Sequence, residues 1–434
     1  MQAGGRLAAA IEILADIEAR RRPVAEALKD WGLSHRFAGS KDRSAIGNIV
    51  YDALRWRLST LFSMGEESAR ALVLGTIGRR WGLGSLGLSS MLAGEHGPAP
   101  LSEAEAATID RPLPEGAPAY IRADIPEWLS ARFEGLFGAD WVEEGVMLAL
   151  RPPLDLRANP LKVDREKVLR ALAAQDASAA RFAPYGMRIP PTALEGRHPN
   201  VQIEPSFIKG WFEVQDEGSQ LVALLAGPKP GEQVLDYCAG AGGKTLAIAA
   251  AMGNKGQIHA TDSDRARLAP IYDRLRRSGA RNVQIRDPRG APLDDLKARM
   301  DRVLVDAPCT GTGIWRRRPD AKWRLTERAL EERKSEQVPI VASAAEFVRP
   351  GGSLTYVTCS LLSDENEGQI SAFLAARPDF SALDGAALIA QASLPEETKT
   401  ALADAMLLLP LGAYLTPRRT GTDGFFVSVL KRGA

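Results

Sequence analysis

The stretch Asp236-Tyr-Cys-Ala-Gly-Ala-Gly-Gly-Lys-Thr245 lies between a short apolar run and an alanine-rich run with a helical pattern. Gly240, Gly242 and Gly243 allow a tight turn and let a ligand approach the backbone closely. The amide groups at the start of the following helix favour a carboxylate or a phosphate. The stretch therefore predicts a strand, a turn and a helix that together bind a ligand.

The pattern around this stretch predicts an α/β fold. Downstream of about residue 215, short apolar runs alternate with longer helical patterns. The strand-like runs are Gln233–Asp236, Gln257–Thr261, Val283–Arg286, Arg302–Val305 and Ser353–Thr358, and a last run, Gly424–Leu430, has no helix after it. Such alternation predicts a parallel sheet with helices on both faces.

The preceding part of the chain has a different character. The first ~80 residues show apolar side chains at helical spacing, and a second helical group extends from Pro126 to Leu150. Short strand-like runs broken by prolines follow, which is typical of a small α+β segment. We therefore predict three domains, with bounds at residues 1–140, 141–210 and 211–434.

The composition limits the class of protein. The 434 residues are 45% hydrophobic and 25% charged, with a formal net charge of +1, which is typical of globular proteins. The longest apolar stretches, such as Leu221–Ala226 and Leu246–Met252, are far shorter than the ~20 residues that span a bilayer. We expect a cytoplasmic protein with no membrane partner.

The sequence predicts neither a disulfide framework nor a metal site. It has three cysteines without a C-x-x-C pair, and its four histidines are scattered singly.

Three interpretations of the glycine-rich stretch compete. A phosphate-binding P-loop would need glycine at Cys238, and a dinucleotide-binding turn would need its third glycine at Thr245. The remaining interpretation is the nucleoside-binding turn of a methyltransferase, which holds no pyrophosphate. Acidic residues at successive predicted strand ends favour it: Asp236, Asp262, Asp287 and Asp306. Ligands of open α/β sheets bind beyond these ends, and an acid about 20 residues after the turn can meet a ribose diol.

Two cysteines directly follow the fourth and fifth predicted strands and so lie at the same edge as the turn. Cys309 belongs to Asp306-Ala-Pro-Cys-Thr-Gly-Thr-Gly313, and Cys359 to Thr358-Cys-Ser360. Carbon 5 of cytosine becomes nucleophilic when a thiolate adds to carbon 6, so such a pair suits methyl transfer to that carbon. Asp306 is the candidate acid near ring nitrogen 3. The chemistry requires a nucleophile and a group for release, but spacing does not say which cysteine is which.

The combined motifs resemble the NOL/NOP/Sun family of RNA cytosine-5 methyltransferases. They are the two stretches around Gly240 and Cys309, Arg-Arg-Arg-Pro-Asp-Ala-Lys-Trp323, Thr-Cys-Ser360 and Asp364-Glu-Asn-Glu367. Asn159-Pro-Leu-Lys162, Val214-Gln-Asp216 and Gly424-Phe-Phe426 are further landmarks, so the resemblance covers the chain from about Pro152 to its end. The N-terminal helices, with Lys41–Leu54, are similar to the NusB-like RNA-binding domain of the bacterial 16S ribosomal RNA member.

The resemblance implies a fold and a cofactor. The fold is a Rossmann-like class I methyltransferase domain with a mostly parallel seven-stranded sheet, preceded by an all-α NusB-like domain and a small α+β insert. The cofactor is S-adenosylmethionine, held by Cys238, Ala239, Gly240, Ala241, Gly242, Gly243, Lys244, Asp262, Asp287 and Asp306. Two departures are Ala241, where the family usually has proline, and Pro288 after Asp287.

The resemblance also implies roles for the cysteines and a substrate. Cys359 is the nucleophile, Cys309 assists release, and Cys238 belongs to the cofactor turn. The substrate is RNA, expected to be 16S rRNA, with the enzyme acting as a monomer. A tRNA or another rRNA as substrate, and a non-catalytic RNA-binding assembly factor, remain alternatives. Arg316, Arg317, Arg318 and Lys322 are the predicted phosphate contacts, with Trp315 or Trp323 either stacking on a base or packing in a core.

Overall fold

A computed structural model describes residues 1–94, 96–111, 116–287 and 293–434. Its contacts divide the chain into two compact units. The first unit comprises Met1–Pro152, Pro191–His198 and Trp315–Leu325, and the second comprises Pro153–Pro190, Pro199–Ile314 and Thr326–Ala434. These units have different bounds from the three predicted domains, which stay a prediction.

The first unit is helical, as predicted. Its α-helices are Ala3–Arg20, Val24–Ser34, Ser40–Arg55, Arg57–Met64, Ala69–Gly75, Gly84–Leu92, Glu103–Ile109, Ala119–Arg122, Ser130–Phe137, Trp141–Ala149 and Pro319–Arg324, with a π-helical turn at Thr76–Arg80. The helical spacing places Leu7, Leu14 and Ile17 on the buried face of one helix, and Ile46 and Ile49 on that of another. Burial of these apolar faces stabilises the helices.

A buried carboxylate organises one end of this unit. Asp124 is fully buried and accepts hydrogen bonds from the amides of Leu58 and Ser59 at 2.8 and 3.2 Å, and from the Ser59 hydroxyl. These amides belong to the first turn of the helix Arg57–Met64, where backbone donors have no partner within the helix. Burial raises the pKa of Asp124, whereas the nearby Lys322 lowers it. Asp124 therefore acts as a remote cap of this helix.

The second unit contains all thirteen strands of the described residues. They are β1 (Leu154–Ala158), β2 (Ser178–Ala179), β3 (Gly186–Ile189), β4 (Phe212–Val214), β5 (Gln233–Asp236), β6 (Gln257–Ala260), β7 (Val283–Ile285), β8 (Met300–Asp306), β9 (Val348–Thr358), β10 (Phe380–Ala382), β11 (Leu407–Leu409), β12 (Gly412–Leu415) and β13 (Phe425–Arg432). Its α-helices are Arg165–Ala171, Pro205–Ile208, Glu217–Leu225, Gly243–Ala251, Arg265–Leu268, Ile271–Ser278, Glu327–Ala345, Glu367–Ala376, Gly385–Ala390, Glu396–Ala405 and Pro417–Thr420.

The first four strands form a small antiparallel sheet in the order β2-β3-β1-β4. Leu156, Met187 and Phe212 from three of these strands lie fully buried, together with Val168 of the helix Arg165–Ala171. The predicted small α+β segment is thus present as a sheet with its own apolar cluster.

The large sheet has the order β11-β12-β13-β9-β8-β5-β6-β7, and β10 pairs with β13. Strands β5 to β9 are parallel, as the alternating pattern predicts, and β10 to β13 are antiparallel to their neighbours. Within the described residues the sheet has nine strands, so the predicted number of seven was wrong. The Rossmann-like α/β class is confirmed.

The strand order reverses between β5 and β8. From β5 the chain continues outward to β6 and β7, and then returns to form β8 and β9 on the other side. A crevice forms at such a point because the connections that leave the two strands diverge, and ligands of α/β sheets bind there. The helix Glu327–Ala345 packs on β8 and β9, and Glu217–Leu225 packs on Gly243–Ala251. The topology thus places the glycine-rich turn after β5 at the crevice.

We expect the substitution Asp124→Ala to destabilise the first unit strongly. It would leave two helix amides without an acceptor and would remove the carboxylate near the buried Lys322. Loss of both effects should lower the free energy of unfolding by about 3 kcal/mol. Denaturant unfolding followed by circular dichroism measures this change.

Asp110→Ala is the matched control. Asp110 also accepts hydrogen bonds from a backbone amide and a hydroxyl, both of Ser85, at 2.9 and 2.6 Å, but it is exposed. Water can replace it there, so this variant should unfold close to the wild-type midpoint. Equal losses of stability in the two variants would contradict the role assigned to Asp124.

Candidate functional site

The glycine-rich turn connects β5 to the helix Gly243–Ala251. Gly240 and Gly242 adopt positive φ angles of 49° and 80°, and a Cβ atom at Gly242 would overlap the side chain of Ile271. Only glycine combines this backbone conformation with so close a contact. The Ala239 amide donates to the Thr261 carbonyl at 2.8 Å, which ties the turn to the end of β6.

A cavity of about 420 Å³ opens beside this turn. Its lining residues are Val214, Gln215, Ser219, Asp236, Cys238, Ala239, Gly240, Ala241, Gly243, Lys244, Arg267, Arg274 and Asp306. Most of the predicted cofactor residues therefore meet at one place. Sequence reasoning assigned no ligand role to Gln215 and Ser219, although Val214-Gln-Asp216 was a landmark of the family resemblance.

Three predicted cofactor residues, Gly242, Asp262 and Asp287, are not among the described residues that line the cavity. Asp262 is buried, and its Oδ2 accepts a hydrogen bond from the Gly240 amide at 2.9 Å, so it supports the turn directly. Asp287 is about one-third exposed and forms an ion pair with Arg265 at 3.5 Å. It is not among the described residues that line the cavity. The neighbouring Pro288, noted as a departure from the family, lies outside the described residues.

A lysine and an aspartate form an ion pair at the cavity wall. The Nζ of Lys244 lies 2.7 Å from Oδ2 of Asp306, and only 9% of Lys244 is exposed. Burial alone would lower the pKa of Lys244, but the charge and the hydrogen bond of Asp306 outweigh it, and the pKa is raised. Lys244 therefore stays a cation, and it joins the cofactor turn to the end of β8.

Asp236 is a buried carboxyl group with an unused oxygen. Its Oδ2 accepts a hydrogen bond from Thr245 at 2.6 Å, whereas its Oδ1 has no hydrogen-bond partner within the described part of the chain. Burial raises the pKa of Asp236 to about 7, and the nearby Asp306 adds to the shift. The group is thus close to half-protonated near neutral pH, and it offers a hydrogen-bonding atom at the cavity.

The structure brings the two predicted catalytic cysteines together. The Sγ atoms of Cys309 and Cys359 lie 3.4 Å apart, on the connections that follow β8 and β9. The hydrogen bond to Cys359, together with burial and the charge of Glu365, raises the pKa of Cys309. Burial also raises the pKa of Cys238, which lines the cavity beside Asp236. These shifts favour the protonated form of the Cys238 and Cys309 thiols.

The predicted RNA-binding segment belongs to the first unit and is largely buried. Arg316 is 4% exposed, and its carbonyl accepts a hydrogen bond from Arg55 at 2.8 Å. Lys322 is 1% exposed and donates to the Arg55 carbonyl at 3.1 Å, and burial lowers its pKa to about 8. Such burial argues against phosphate contacts by these two side chains. Arg317 is half-buried and Arg318 is exposed.

The two tryptophans of this segment pack in the protein core. Trp315 is 1% exposed and stacks on Phe133 with ring centroids 5.9 Å apart. The Trp323 indole donates to the Leu54 carbonyl at 2.6 Å, and its ring packs against the helical core. Core packing, rather than base stacking, is the arrangement that the structure shows for both.

The described residues contain neither a metal-binding cluster nor a membrane-spanning helix. No cluster of three or more histidine, cysteine, aspartate or glutamate side chains is arranged to hold a metal ion. Within the same ranges, no helix has the length and apolar character needed to cross a membrane.

Comparison with known proteins gives matches over both units. A family model described as 16S rRNA methyltransferase RsmB/F matches residues 223–431, and one described as an RsmF/B-like ferredoxin-like domain matches residues 125–192. The crystal structure of PH0851 aligns with 100% of this chain and 99% of its own, with a TM-score of 0.70 and 25% identity. The NusB-like character of the N-terminal helices stays a prediction.

Two curated bacterial relatives carry related names. Ribosomal RNA small subunit methyltransferase B of Sodalis glossinidius is 37% identical over 311 residues, which are 70% of this chain and 65% of that protein. The probable ribosomal RNA small subunit methyltransferase B of Synechocystis is 33% identical over 316 residues, which are 71% of this chain and 67% of that protein. The chain thus spans about two thirds of the length of these relatives. Together with the motifs and the fold, these matches show that the chain belongs to the RsmB/F family of 16S rRNA methyltransferases.

Proposed function

We propose that this protein transfers a methyl group from S-adenosylmethionine to carbon 5 of a cytosine in 16S rRNA. The observation that carries the proposal is the 3.4 Å separation of the Cys309 and Cys359 sulfur atoms at the sheet edge that also holds the cavity. Methyl transfer to carbon 5 needs a thiol that adds to the base and a second group that assists its departure. The names of the relatives support small-subunit rRNA as the substrate.

The cavity suits S-adenosylmethionine in size and chemistry. The turn exposes backbone at Ala239–Ala241 and starts a nine-residue helix, whose amides favour a carboxylate. The unpartnered Oδ1 of Asp236 can accept a hydrogen bond from an amino group. Asp262, about 20 residues after the turn, is the proposed contact for a ribose diol. When bound, this cofactor supplies an electrophilic methyl group.

The proposed reaction begins with the sulfur of Cys359. Its thiol loses a proton and the thiolate forms a bond to carbon 6 of cytosine, which makes carbon 5 nucleophilic. Asp306 is the proposed group near ring nitrogen 3, and the adjacent Lys244 limits the negative charge that collects there. After methylation a base removes the proton on carbon 5, the bond from sulfur to carbon 6 breaks, and Cys359 leaves as a thiolate.

Cys309 is the proposed aid to this release. It lies within hydrogen-bonding distance of Cys359, so it can share a proton with the departing sulfur. Both cysteines occupy loops at the same sheet edge, so their position does not distinguish them. Their separate roles are taken from the family pattern.

Arg317 and Arg318 are the proposed contacts to RNA, because Arg316 and Lys322 are buried. A monomeric enzyme remains part of the proposal.

A tRNA or another rRNA as substrate is the nearest alternative, and a non-catalytic assembly factor is the second. Bisulfite sequencing of RNA from a deletion strain separates them. Loss of one methylated cytosine in 16S rRNA supports the proposal, and loss in a tRNA supports the first alternative. Unchanged methylation of all RNAs would leave the assembly factor as the better account.

We expect Gly242→Ala to weaken binding of S-adenosylmethionine. The new Cβ would meet Ile271, and alanine is strained at the positive φ of this turn. A distortion that costs 1–2 kcal/mol of binding energy corresponds to about a tenfold rise in Kd. Isothermal titration calorimetry with S-adenosylmethionine measures the change.

Gly253→Ala provides the control at the other end of the same helix. Gly253 also has a positive φ, of 58°, but a Cβ there meets nothing within 4 Å. The Gly253→Ala variant should lose some stability and keep the wild-type Kd for S-adenosylmethionine. Equal affinity of the Gly242 variant and the wild type would remove the turn from the proposed cofactor site.

The two cysteine variants should fail in different ways. With labelled S-adenosylmethionine and 16S rRNA, Cys359→Ala should lower methyl transfer by about 10³-fold or more, because the attacking group is missing. Cys309→Ala should instead accumulate a covalent complex with RNA, seen as a denaturation-resistant band in gel electrophoresis. Cys238→Ala, which lies at the proposed cofactor site, should show neither defect once S-adenosylmethionine is saturating. A covalent complex that forms without Cys359 would reverse the two roles.

A further inference from the structure

Glu365 lies buried beneath the two cysteine loops. It ends the short 3₁₀ turn Ser363–Glu365, and none of its surface is exposed. A buried carboxylate is costly unless several donors surround it. Glu365 belongs to the Asp364–Glu367 motif, but the sequence alone predicts no role for it.

One carboxylate oxygen of Glu365 holds the loop of Cys309. Its Oε1 accepts hydrogen bonds from the Thr310 amide at 2.9 Å and from Nε2 of Gln337 at 3.1 Å. The same Gln337 nitrogen donates to the Pro308 carbonyl at 2.9 Å. The residues on both sides of Cys309 are therefore fixed, one by Glu365 directly and the other through Gln337.

The other oxygen joins the two loops. Its Oε2 accepts hydrogen bonds from the hydroxyl groups of Thr310 and Ser360, each at 2.5 Å. Thr310 directly follows Cys309, and Ser360 directly follows Cys359. One side chain thus contacts the residue after each cysteine.

Backbone contacts complete this frame. The Gly313 amide donates to the Cys359 carbonyl at 2.9 Å, and the Leu361 amide donates to Oγ1 of Thr312 at 2.7 Å. These bonds cross between the same two loops. With both backbones held, each sulfur position depends on the single χ1 torsion of its cysteine.

We propose that Glu365 is the positioning residue that holds Cys309 and Cys359 at their reacting distance. The importance of this role for catalysis rests on the proposed function. Glu365 contacts neither sulfur by a hydrogen bond, and it acts through Thr310 and Ser360. The geometry itself, however, can be tested apart from methyl transfer.

The arrangement of donors predicts which replacement is tolerated. A glutamine at this position can place its carbonyl oxygen toward the Thr310 amide and Gln337, which only donate at these contacts. Its amide nitrogen then donates to the hydroxyls of Thr310 and Ser360, which can rotate to accept. Glu365→Gln should therefore keep the frame, whereas Glu365→Ala removes it.

The first experiment measures methyl transfer to 16S rRNA by these variants. A displacement of about 1 Å at a nucleophile can cost 10²-fold in rate, so Glu365→Ala should lower kcat by about that factor with little change in KM. Glu365→Gln should stay within about fivefold of the wild-type kcat, which corresponds to a rise in the activation free energy of about 1 kcal/mol at most. An alanine variant with the wild-type kcat, or a glutamine variant as impaired as alanine, would overturn the proposal.

Glu367→Ala is the matched control within the same motif. Glu367 is partly buried and accepts a hydrogen bond from the Tyr414 hydroxyl at 2.5 Å, and no hydrogen bond to Thr310 is described for it. Its loss should change kcat far less than the loss of Glu365 at similar thermal stability. Equal effects of the two alanine variants would show a general loss of packing instead of positioning.

The second experiment does not depend on methyl transfer. Hydrogen peroxide can accept two electrons and two protons from the thiols of Cys309 and Cys359, which gives a disulfide and two water molecules. The rate of disulfide formation is followed by mass spectrometry and thiol counting, and it depends on how often the two sulfurs meet. Glu365→Gln and Glu365→Ala both lack the charge that raises the pKa of Cys309, so a difference between these two variants reports the positions of the sulfurs. Glu365→Ala should form the disulfide about tenfold more slowly than Glu365→Gln, because closure of the disulfide requires one sulfur to reach the other.

The two readouts separate failure of the function from failure of the inference. A wild-type protein that methylates no RNA would overturn the proposed function, and the disulfide rates would still test the frame. A wild-type pair that resists oxidation, or equal rates in all variants, would overturn the positioning role even where methyl transfer is observed.

Discussion

The parallel pairing of β8 with β5 on one side and β9 on the other is the constraint on which the site depends. The register places Asp236 beside Leu304, and Asp306 beside Val357. The strands therefore end at nearly the same level, and their connections leave from one edge. A shift by one residue would turn every side chain of a strand to the opposite face. The Lys244–Asp306 ion pair and the contact between Cys309 and Cys359 both follow from this register.

The same constraint concentrates negative charge. Asp236, Asp262 and Asp306 all belong to this edge, and Lys244 pairs with one of them. Burial, together with the charges of Asp306 and Asp262, raises the pKa of Asp236, and nearby negative charge also disfavours a thiolate. A cationic methyl donor reverses that field when it binds, because a positive charge favours ionised neighbours. The proposed cofactor is such a cation, so the acid-rich edge suits both its binding and the later formation of a thiolate.

Sequence reasoning located those parts of the site that depend on local pattern. The parallel strands, the glycine turn and the two cysteines follow from short apolar runs and from the residues directly after them. The strands β10 to β12 were not predicted. They are as short as the predicted β5 to β7, but they pair antiparallel with β13 or with each other, and this pairing has no local pattern in the sequence.

Features that depend on distant partners could not be predicted. The Arg316–Lys322 run was interpreted as a surface for RNA because it is basic and directly follows the loop of Cys309. Its burial depends on Asp124 and Arg55, which are distant in sequence, and on the rings of Trp315 and Trp323, which belong to the same segment. Glu365 was likewise quoted within a motif, but its contacts with Thr310 and Gln337 exist only after folding. The missing information in both cases is tertiary pairing of buried polar groups.

Such buried polar frames explain how flexible loops can hold a reactive pair precisely. A connection between strands gains little order from its own backbone, and its conformation depends on the bonds it makes to neighbours. Each buried donor left without an acceptor costs about 1–3 kcal/mol, so partial loss of the frame around Glu365 is unfavourable at every step. The loops of Cys309 and Cys359 are therefore held together or released together. This cooperative holding leaves only the χ1 torsions free, and under the proposed function those rotations would move a sulfur between its neighbour and the base.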